Sequence, residues 1–426
     1  MSDTKRNQRA GIDDRWHKRV KQPDGTMRTE RSPLYERVTR WRVRWVDDTS
    51  KERTKSFQRK PDAQAFLNTL TADVVRGDYV SPDKAGVTFG TVAEDWYKTK
   101  SHRKPKTLAG YRGLLDTLVL PRWESVPLKD VDYRELSQWL SELGVDGSQN
   151  GKPLSASRIR QAHQLVHAVF KYAQRSGLVS KNVAAQVERK HDLPTENERV
   201  QHALTHAQLI GLARHMGQYA TLTLVLGYTG IRLGEAAALR RRNVSVGKLS
   251  IMESATRVTG RGMVTTKTKT GKNRDVAVPG PVWDVLEPEL PDDPVALVFP
   301  NPAGTELTNH QYRYLLDKAV AAMQAETNAA RNLERAKRGK ATTPEFPSIT
   351  PHDLRHTCAP LLISSGANIK VVQRQLGHAT AAMTLDRYGH LYDADLTRAA
   401  DELGKAIKGT AVPLRYGAGI KKVRAS

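Results

Sequence analysis

The sequence predicts a multidomain, mainly helical protein that carries small β-sheets. Three observations support this fold class: strand-like alternation near the start, helical spacing of apolar residues in the middle, and a mixture of both periods afterwards. At roughly 150 residues per domain, 426 residues accommodate two to four domains. We expect an N-terminal three-stranded sheet plus helix at 1–83, a helical domain at 88–190, a mixed α+β domain at 196–408 and a basic flexible tail at 409–426.

The charge balance indicates a polyanionic partner. The chain has 68 Lys and Arg against 45 Asp and Glu, a net charge of +23. When such basic side chains neutralise the phosphates of a nucleic acid, condensed counterions are released, which drives association. With 38% hydrophobic residues, the composition is that of a globular protein. A single cysteine, Cys358, argues against a disulfide-bonded secreted protein, and there is neither an apolar run near 18 residues nor a signal-peptide core. We therefore expect a cytoplasmic protein that binds nucleic acid and no membrane.

Short strands are predicted at 15–20, 41–46 and 51–57, followed by a helix that Pro61 opens and Gly77 ends. In the second strand, apolar residues alternate with arginines, which places aromatic groups on one face and guanidinium groups on the other. Because no acidic residue lies within this arginine stripe, we favour a surface that binds DNA over a solvated edge that resists aggregation. The arginines of the stripe are Arg40, Arg42 and Arg44.

Three helices are predicted between a linker at 78–88 and a polar junction at 191–199. The third is the clearest, because its apolar residues follow i, i+3, i+4 spacing and predict a buried stripe. Arg158 and Arg160 flank this stripe, either as ordinary surface residues or as contacts to DNA phosphates. The spans of the three helices are 107–121, 132–144 and 155–177.

The region after residue 196 mixes helices and strands. A capping box of Thr205 and Gln208 opens one helix, and a helical pattern that begins at Thr308 ends at Gly339. We expect residues 324–345 to form an exposed helical extension. A meander of strands is predicted between these helices, at 248–253, 262–266 and 275–278 with a turn at 270–273.

A further helix begins after Thr350, with Pro351 as its first residue. Within it, Pro360 lacks an amide and its ring clashes with the preceding turn, which predicts a kink. His352 and Arg355 are three residues apart and project from one face near the N-terminus of the helix. The helix dipole and the free amides at that end favour a bound phosphate.

Other candidate site residues stand near glycines. Arg232 lies between two glycines just before a helix resumes; simple exposure or a pair with Glu235 is the alternative reading of this arginine. His378 and Tyr388 lie ten residues apart in the last part of the chain. Taken singly, each of these residue types is more often structural than catalytic.

Together and in this order, these residues resemble the tyrosine recombinases, the phage integrase family of site-specific DNA recombinases. Residues 41–67 and 77–82 are similar to the arm-site-binding module of actinobacterial and actinophage integrases, and residues 89–187 to the family's helical core-binding (SAM-like) domain. Four stretches carry the resemblance of the third region: GYTGIRLGEAAAL (227–239), TKTGKNRDVAVP (268–279), TPHDLRHT (350–357) and QLGHATAAMTLDRYGHLY (375–392).

The resemblance implies a role for each matching residue. Tyr388 corresponds to the nucleophile, which attacks a DNA phosphate and leaves a 3′-phosphotyrosine. Arg232 and Arg355 correspond to the arginines that hold the non-bridging oxygens, while His352 and His378 hydrogen-bond the phosphate and help to move protons. Because a tyrosine hydroxyl has a pKa of about 10, it needs positive surroundings or a base to attack at neutral pH.

The lysine that protonates the departing 5′ oxygen corresponds to Lys269, with Lys267 as a rival on the same face of the strand. The resemblance implies no metal and no other cofactor, and the sequence contains no P-loop motif for ATP. The implied partners are double-stranded DNA at core and arm sites, a homotetramer on that DNA, and an excisionase or DNA-bending factor. The implied setting is the nucleoid of a bacterial host, where the enzyme integrates or excises a phage or other mobile element.

The residues also allow other readings. His352 and His356 with Asp353 superficially match the H-E-x-x-H zinc motif, although the acid is shorter and an arginine stands between the histidines. Tyr392 is an alternative nucleophile. A type IB topoisomerase and a catalytically inactive DNA-binding regulator are the alternative functions. Three aspartates would serve a two-metal nuclease: Asp386, Asp393 and Asp395.

Overall fold

The computed structural model describes residues 10–23, 25–47, 50–76, 79, 81–196, 202–268, 273–392, 400–401 and 403–407. Contacts divide the chain into two compact units, Met1–Glu198 and Arg199–Ser426. Across the described residues, no helix is both long enough and apolar enough to cross a membrane. The predicted flexible tail at 409–426 lies outside the described residues.

Two small antiparallel sheets form the N-terminal part of the first unit. One has three strands in the order β1-β4-β5, and the other is a ribbon of β2 and β3. The three-stranded sheet is therefore confirmed, but the strand predicted at 15–20 belongs to the ribbon and β1 takes its place. The polar sequences of β1 and β3 hide them from a search for alternation. The strands are β1 (Gly11–Asp14), β2 (His17–Lys21), β3 (Met27–Arg31), β4 (Trp41–Val46) and β5 (Glu52–Phe57).

The helix predicted after the strands is present as α1 (Lys60–Arg76), and it covers the apolar face of the three-stranded sheet. Val43 and Trp45 of β4 are buried in one cluster with Ala63 and Leu70 of α1. The indole nitrogen of Trp45 donates a 2.8 Å hydrogen bond to the hydroxyl of Tyr79, which satisfies the one polar atom of that ring.

The rest of the first unit is helical and has its own apolar core. A π-helical turn, Leu115–Val119, joins α4 to α5 in one continuous run. The run begins at Pro105 and not at Thr107, because a proline suits the first turn of a helix. The predicted buried stripe of the last helix is confirmed. The helices are α2 (Pro82–Ala85), α3 (Phe89–Lys98), α4 (Pro105–Leu114), α5 (Leu120–Trp123), α6 (Tyr133–Glu142) and α7 (Ala156–Arg175).

The second unit packs its helices around α9, whose residues are buried on nearly every side. Both side-chain bonds of the predicted Thr205 and Gln208 capping box are present. Tyr312, fully buried, shares a 2.8 Å hydrogen bond with the hydroxyl of Thr223 inside this core. The helices are α8 (His206–Arg214), α9 (Ala220–Thr229), α10 (Leu233–Ala237), α11 (Gly280–Leu286), α12 (Asn309–Arg338), α13 (Pro351–Ser364), α14 (Ile369–Leu376) and α15 (Ala382–Tyr388).

The strands of the second unit form a sheet in the order β10-β7-β6 and a separate hairpin of β8 and β9. The strand predicted at 248–253 is split at Met252 between two elements, and β8 was not predicted because its sequence shows no clear alternation. The predicted turn at 270–273 lies mostly outside the described residues. The strands are β6 (Val244–Ser245), β7 (Lys248–Ile251), β8 (Glu253–Val258), β9 (Gly262–Lys267) and β10 (Arg274–Ala277).

Helix α13 runs through Pro360 without a break, so the predicted kink does not interrupt it. The helix tolerates the proline at a cost, since Pro360 donates no hydrogen bond to the carbonyl of His356 one turn earlier. His352 and Arg355 precede the proline, and their places on the first two turns of α13 are unaffected.

The extension predicted as helical at 324–345 is helical only as far as Arg338, where it forms the second half of α12, a single helix of 30 residues. Its return segment lies against it. The carboxylate of Glu334 accepts hydrogen bonds from the amides of Thr342 (2.6 Å) and Thr343 (3.0 Å), and Arg331 pairs with Glu345 at 2.9 Å. These bonds satisfy the turn that follows the end of the helix at Gly339.

Candidate active site

Arg355 is a buried cation of the site, with 3% of its surface exposed. It lies on the second turn of α13, and its two terminal nitrogens donate hydrogen bonds to the carbonyls of Gly230 and Leu376. Burial is the main cause that lowers the pKa of Arg355, and the charge of Arg232 adds to it. The guanidinium stays protonated at neutral pH because its ordinary pKa is so high. It is a fixed cation held by backbone.

Two helix ends create the space for this arginine. Gly230 ends α9 and Gly377 ends α14, both with left-handed backbone at φ values of 69° and 67°. A Cβ on Gly230 would lie 2.5 Å from a methyl carbon of Leu376 and 3.1 Å from the Cβ of Cys358. Both glycines are required, since only glycine adopts this backbone freely and leaves room for these contacts.

Glu235 links two further arginines. Its buried carboxylate accepts hydrogen bonds from Arg232 at 2.9 Å and from Arg274 at 2.6 and 3.1 Å, and it also accepts one from the backbone amide of Arg232. Burial alone would raise the pKa of Glu235, but the bonds from Arg274 and Arg232 outweigh it and lower that pKa. The pair with Glu235 was the alternative reading of Arg232; it is present, and it orients the arginine.

His352 and His378 lie in the field of these arginines. The Nδ1 atom of His378 is 2.9 Å from the hydroxyl of Thr384, which fixes the ring. Burial, followed by the charges of Arg355 and Arg232, lowers the pKa of His378 to about 4, and the same causes lower that of His352. Both rings are therefore neutral at neutral pH, and each carries one N–H that can donate to an oxyanion.

Tyr388 is the last residue of α15, and its side chain is buried. Its hydroxyl lies 2.6 Å from Nδ1 of His356 on α13. Burial raises the pKa of Tyr388 to about 12, although the charges of Arg387 and Arg355 act to lower it. Positive surroundings alone therefore do not yield a phenolate at neutral pH in this chain.

The two lysine candidates differ in what the structure describes. Lys267 is exposed at the end of β9, where it pairs with Glu253 in the β8–β9 register. Lys269 lies outside the described residues. The choice between them stays a prediction.

The arginine stripe of β4 is not free of acids, because the adjacent strand supplies them. The register places Asp13 opposite Arg42, with 3.0 Å between their charged atoms, and Asp14 lies 3.0 Å from Arg40. Arg44 lies 3.8 Å from Asp13. The expectation that the stripe lacks acidic neighbours is therefore wrong, because the pairing of strands cannot be read from one strand.

The other two DNA-binding candidates lie near the start of α7. Arg160 donates a 2.8 Å hydrogen bond to the carbonyl of Pro194, and Arg158 is half-buried. For these residues and for the arginine stripe, DNA binding stays a prediction.

The structure also shows the surroundings of the residues that allowed other interpretations, namely a zinc site, a second nucleophile and a two-metal nuclease. Asp353 of the zinc-like motif is buried and accepts hydrogen bonds from the amide and hydroxyl of Thr350 at 2.7 Å, as part of a helix cap. Across the described residues, no group of three His, Cys, Asp or Glu side chains is arranged to hold a metal. Tyr392 donates a 3.1 Å hydrogen bond to the carbonyl of Ala367. Asp386 is exposed on α15, whereas Asp393 and Asp395 lie outside the described residues.

Sequence reasoning missed two contacts of the site. Arg274 was inside a quoted motif, but its bond to Glu235 joins residues 39 positions apart. His356 was considered only as a zinc ligand, whereas it contacts the hydroxyl of Tyr388 across 32 positions. The only available signal was that both lie within stretches that resemble the recombinases.

The comparison with protein families covers both the helical middle of the chain and the site. Residues 196–395 match the Phage integrase family, and residues 89–190 match the Phage integrase central domain. The chain belongs to the phage integrase family of tyrosine recombinases. It is accordingly a recombinase that breaks and rejoins DNA strands.

Individual members of the family resemble the chain at low identity. A protein named as an integrase of prophage phiRv2 in Mycobacterium tuberculosis is 26% identical over 352 residues, which is 79% of this chain and 84% of the relative. The tyrosine recombinase XerD of Corynebacterium glutamicum is 28% identical over 60% of this chain and 78% of its own length. The Tn1549 transposon integrase, solved with transposon right end DNA, shares the fold: its TM-score is 0.57 at 21% identity, over 74% of this chain and 99% of that structure.

Proposed function

We propose that this recombinase acts at specific DNA sites through Tyr388 and integrates or excises a phage or other mobile element. The observation that supports this best is the meeting of Tyr388, on α15, with the cationic cluster around Arg355. The charges of Arg355 and Arg387 act on the tyrosine, and those of Arg355 and Arg232 act on both flanking histidines. A phosphate bound there would meet a nucleophile and several fixed cations at once.

The reaction balances without an external energy source. The phenolic oxygen of Tyr388 gives up its proton to a neighbouring base as it forms a bond to phosphorus, and the bond from phosphorus to the 5′ oxygen breaks, which leaves a 3′-phosphotyrosine. The departing oxygen takes a proton from Lys269 or from its rival Lys267. A phosphodiester is exchanged for a phosphodiester, so the reverse attack by a 5′ hydroxyl rejoins the strand without ATP.

The arginines would stabilise the transition state. Negative charge grows on the non-bridging oxygens, and preorganised guanidinium groups bind it without reorganisation. Arg355 is held by two carbonyls and Arg232 by Glu235, so neither has to be ordered during the reaction. His352 and His378 would each donate one hydrogen bond to the phosphate. These groups need no metal ion to complete the charge balance.

Binding to double-stranded DNA fits the charge of the chain and the DNA complexes of its structural neighbour. The net charge is +23, and the Tn1549 transposon integrase was solved with transposon right end DNA. We assign the binding of arm sites to residues 1–83, and the binding of core sites to 88–190 together with 196–408.

Two cleavages on each of two duplexes imply four protomers. An excisionase or DNA-bending factor would set the direction of recombination. The enzyme would act at the nucleoid in the bacterial cytoplasm.

The nucleophile is tested by Tyr388→Phe on a suicide substrate that traps the covalent adduct. We expect this variant to bind DNA with unchanged affinity and to form no adduct, because it lacks the attacking oxygen. The matched control is Tyr392→Phe, which removes a hydroxyl four residues later and should still form the adduct. An adduct with Tyr388→Phe would contradict the assignment.

Excess EDTA tests the absence of a metal from the reaction. We expect adduct formation to continue at the same rate, whereas a metal-dependent nuclease would stop. Relaxation of supercoiled plasmid without recombination between paired sites would instead favour the topoisomerase alternative.

A further inference from the structure

The hydroxyl of Tyr388 is paired with a third histidine, distinct from His352 and His378. His356 follows Arg355 directly on α13, and its Nδ1 atom lies 2.6 Å from the phenolic oxygen. His378 has its own partner in Thr384, at 2.9 Å. His356 is thus the histidine placed to exchange a proton with the nucleophile.

The ring of His356 is held in place from several directions. It is buried, with 5% of its surface exposed. The ring of His352, one helical turn earlier, meets it edge to face with 4.5 Å between centroids and 86° between planes. Tyr388 contacts the ring from α15, with 6.3 Å between the two ring centroids. A base held in this way needs no reorientation before it accepts a proton.

The protonation states on both sides of this contact suit a transfer from tyrosine to histidine. Burial, then the neighbouring His352 and Arg387, lowers the pKa of His356 to about 4, so that its ring is neutral at neutral pH. Burial raises the pKa of Tyr388 to about 12, so roughly one hydroxyl in 10⁵ would be ionised at pH 7 without help. The tyrosine needs a base, and the neutral imidazole beside it has a free lone pair.

We propose that His356 is the general base that accepts the proton of Tyr388 as the phenolic oxygen attacks the DNA phosphate. The inference rests on the proposed role of Tyr388 as nucleophile. During cleavage the O–H bond of Tyr388 breaks, its proton moves to Nδ1 of His356, and the oxygen forms a bond to phosphorus. During rejoining the proton returns to the departing phenolic oxygen, so His356 then serves as the general acid.

Two substitutions separate a base from a residue that only positions the tyrosine. His356→Ala removes the ring, whereas His356→Asn keeps a hydrogen-bond acceptor near the position of Nδ1 but has no basic nitrogen. We expect both variants to form the adduct on a suicide substrate roughly 10²–10³-fold more slowly than wild type in single-turnover measurements. Added imidazole should restore part of the rate of His356→Ala, since it can enter the space that the ring leaves.

The chain offers a matched control. His206 also contacts a tyrosine hydroxyl through Nδ1, that of Tyr228 at 3.0 Å, but these two residues lie on α8 and α9 and not on α13 and α15. His206→Ala should leave the cleavage rate within about twofold of wild type. Thermal unfolding and DNA binding of all three variants show whether each is folded.

A substrate with sulfur in place of the bridging 5′ oxygen isolates the attack step, because a thiolate leaves without an acid. On this substrate His356→Ala should remain slow, whereas variants of the lysine acid should recover. Cleavage by His356→Asn at the wild-type rate, or full recovery of His356→Ala on the sulfur substrate, would overturn the inference. An adduct formed by Tyr388→Phe would instead overturn the proposed function, so the two failures are distinguishable.

Discussion

Glu235 shows how a single residue organises charge at the site. A carboxylate with only 1% of its side chain exposed would destabilise the fold if it were unpaired. Hydrogen bonds from two arginines and a backbone amide offset the free energy of its desolvation. Arg274 comes from β10 and Arg232 from the start of α10. The carboxylate thus cross-links a strand to a helix, and it orients an arginine that we assign to the phosphate.

The buried His356 and the half-buried His378 predict how stability depends on pH. The folded pKa values of His356 and His378 are about 4, below the ordinary value of 6.5. The unfolded chain therefore binds more protons as the pH falls through 6.5, and stability that is present above this pH is lost toward pH 4. The lowered pKa of Glu235 acts in the same direction at still lower pH.

Urea unfolding at pH 7.5 and pH 5.0 measures this loss. We expect the free energy of unfolding to be smaller at pH 5.0, and the decrease to be reduced in His378→Gln, which cannot take up the proton. Equal free energies of unfolding at the two pH values would contradict the pKa shifts.

The sequence nominates candidate site residues, but it does not predict their contacts. Arg232, His352, Arg355, His378 and Tyr388 stand in stretches that resemble the recombinases, and the structure brings them into one electrostatic cluster. The contacts of this cluster join residues far apart in the chain, and no local pattern encodes such distances. Lys269 remains a prediction because it lies outside the described residues.

At the scale of elements, prediction succeeded where the signal is local. The capping box at Thr205 and the stop at Gly339 depend on a few neighbouring residues, and both are present. Strands β1, β3 and β8 were missed because their stability comes from pairing with other strands and not from their own alternation.

Pro360 gives a prediction for α13. Pro360→Ala restores an amide that can bond to the carbonyl of His356, and it removes the clash of the ring. The gain in stability is reduced only slightly by the greater conformational freedom of the unfolded chain. We expect the variant to be more stable than wild type by about 2 kcal/mol in urea unfolding.

The control for this substitution is Pro281→Ala, in the first turn of α11, where an amide would have no helical partner and no gain is expected. A Pro360→Ala variant no more stable than wild type would show that the surroundings of α13 already compensate for the proline.

At the scale of the whole molecule, the chain divides into two compact units, whereas the sequence predicts three domains and a tail. The N-terminal sheets and the helical middle fall within the first unit, where Arg53 of β5 forms an ion pair with Asp83 of α2. Each part nevertheless has its own apolar cluster, one centred on Trp45 and the other on helices α3 to α7. Composition and spacing predict such clusters, but not an ion pair such as that of Arg53 with Asp83, which joins two different elements.

Deletion of residues 1–83 tests the assignment of arm binding. Because the helical middle has a separate core that begins at Phe89, we expect the truncated chain to fold and to cleave a core half-site at the wild-type rate. Recombination between long sites that carry arm sequences should fall roughly tenfold or more, since a second tethered DNA contact is lost. Unchanged recombination on long sites would contradict the arm assignment.

The burial of Cys358 makes the chain convenient for labelling. It is the single cysteine of the sequence, it lies inside α13, and burial raises the pKa of its thiol to about 12. Maleimide dyes react with accessible thiolates, so the native thiol should stay unmodified while the chain is folded. A cysteine introduced at exposed Val246 would then take a fluorophore selectively, and strand exchange could be followed one molecule at a time with the native Cys358 in place.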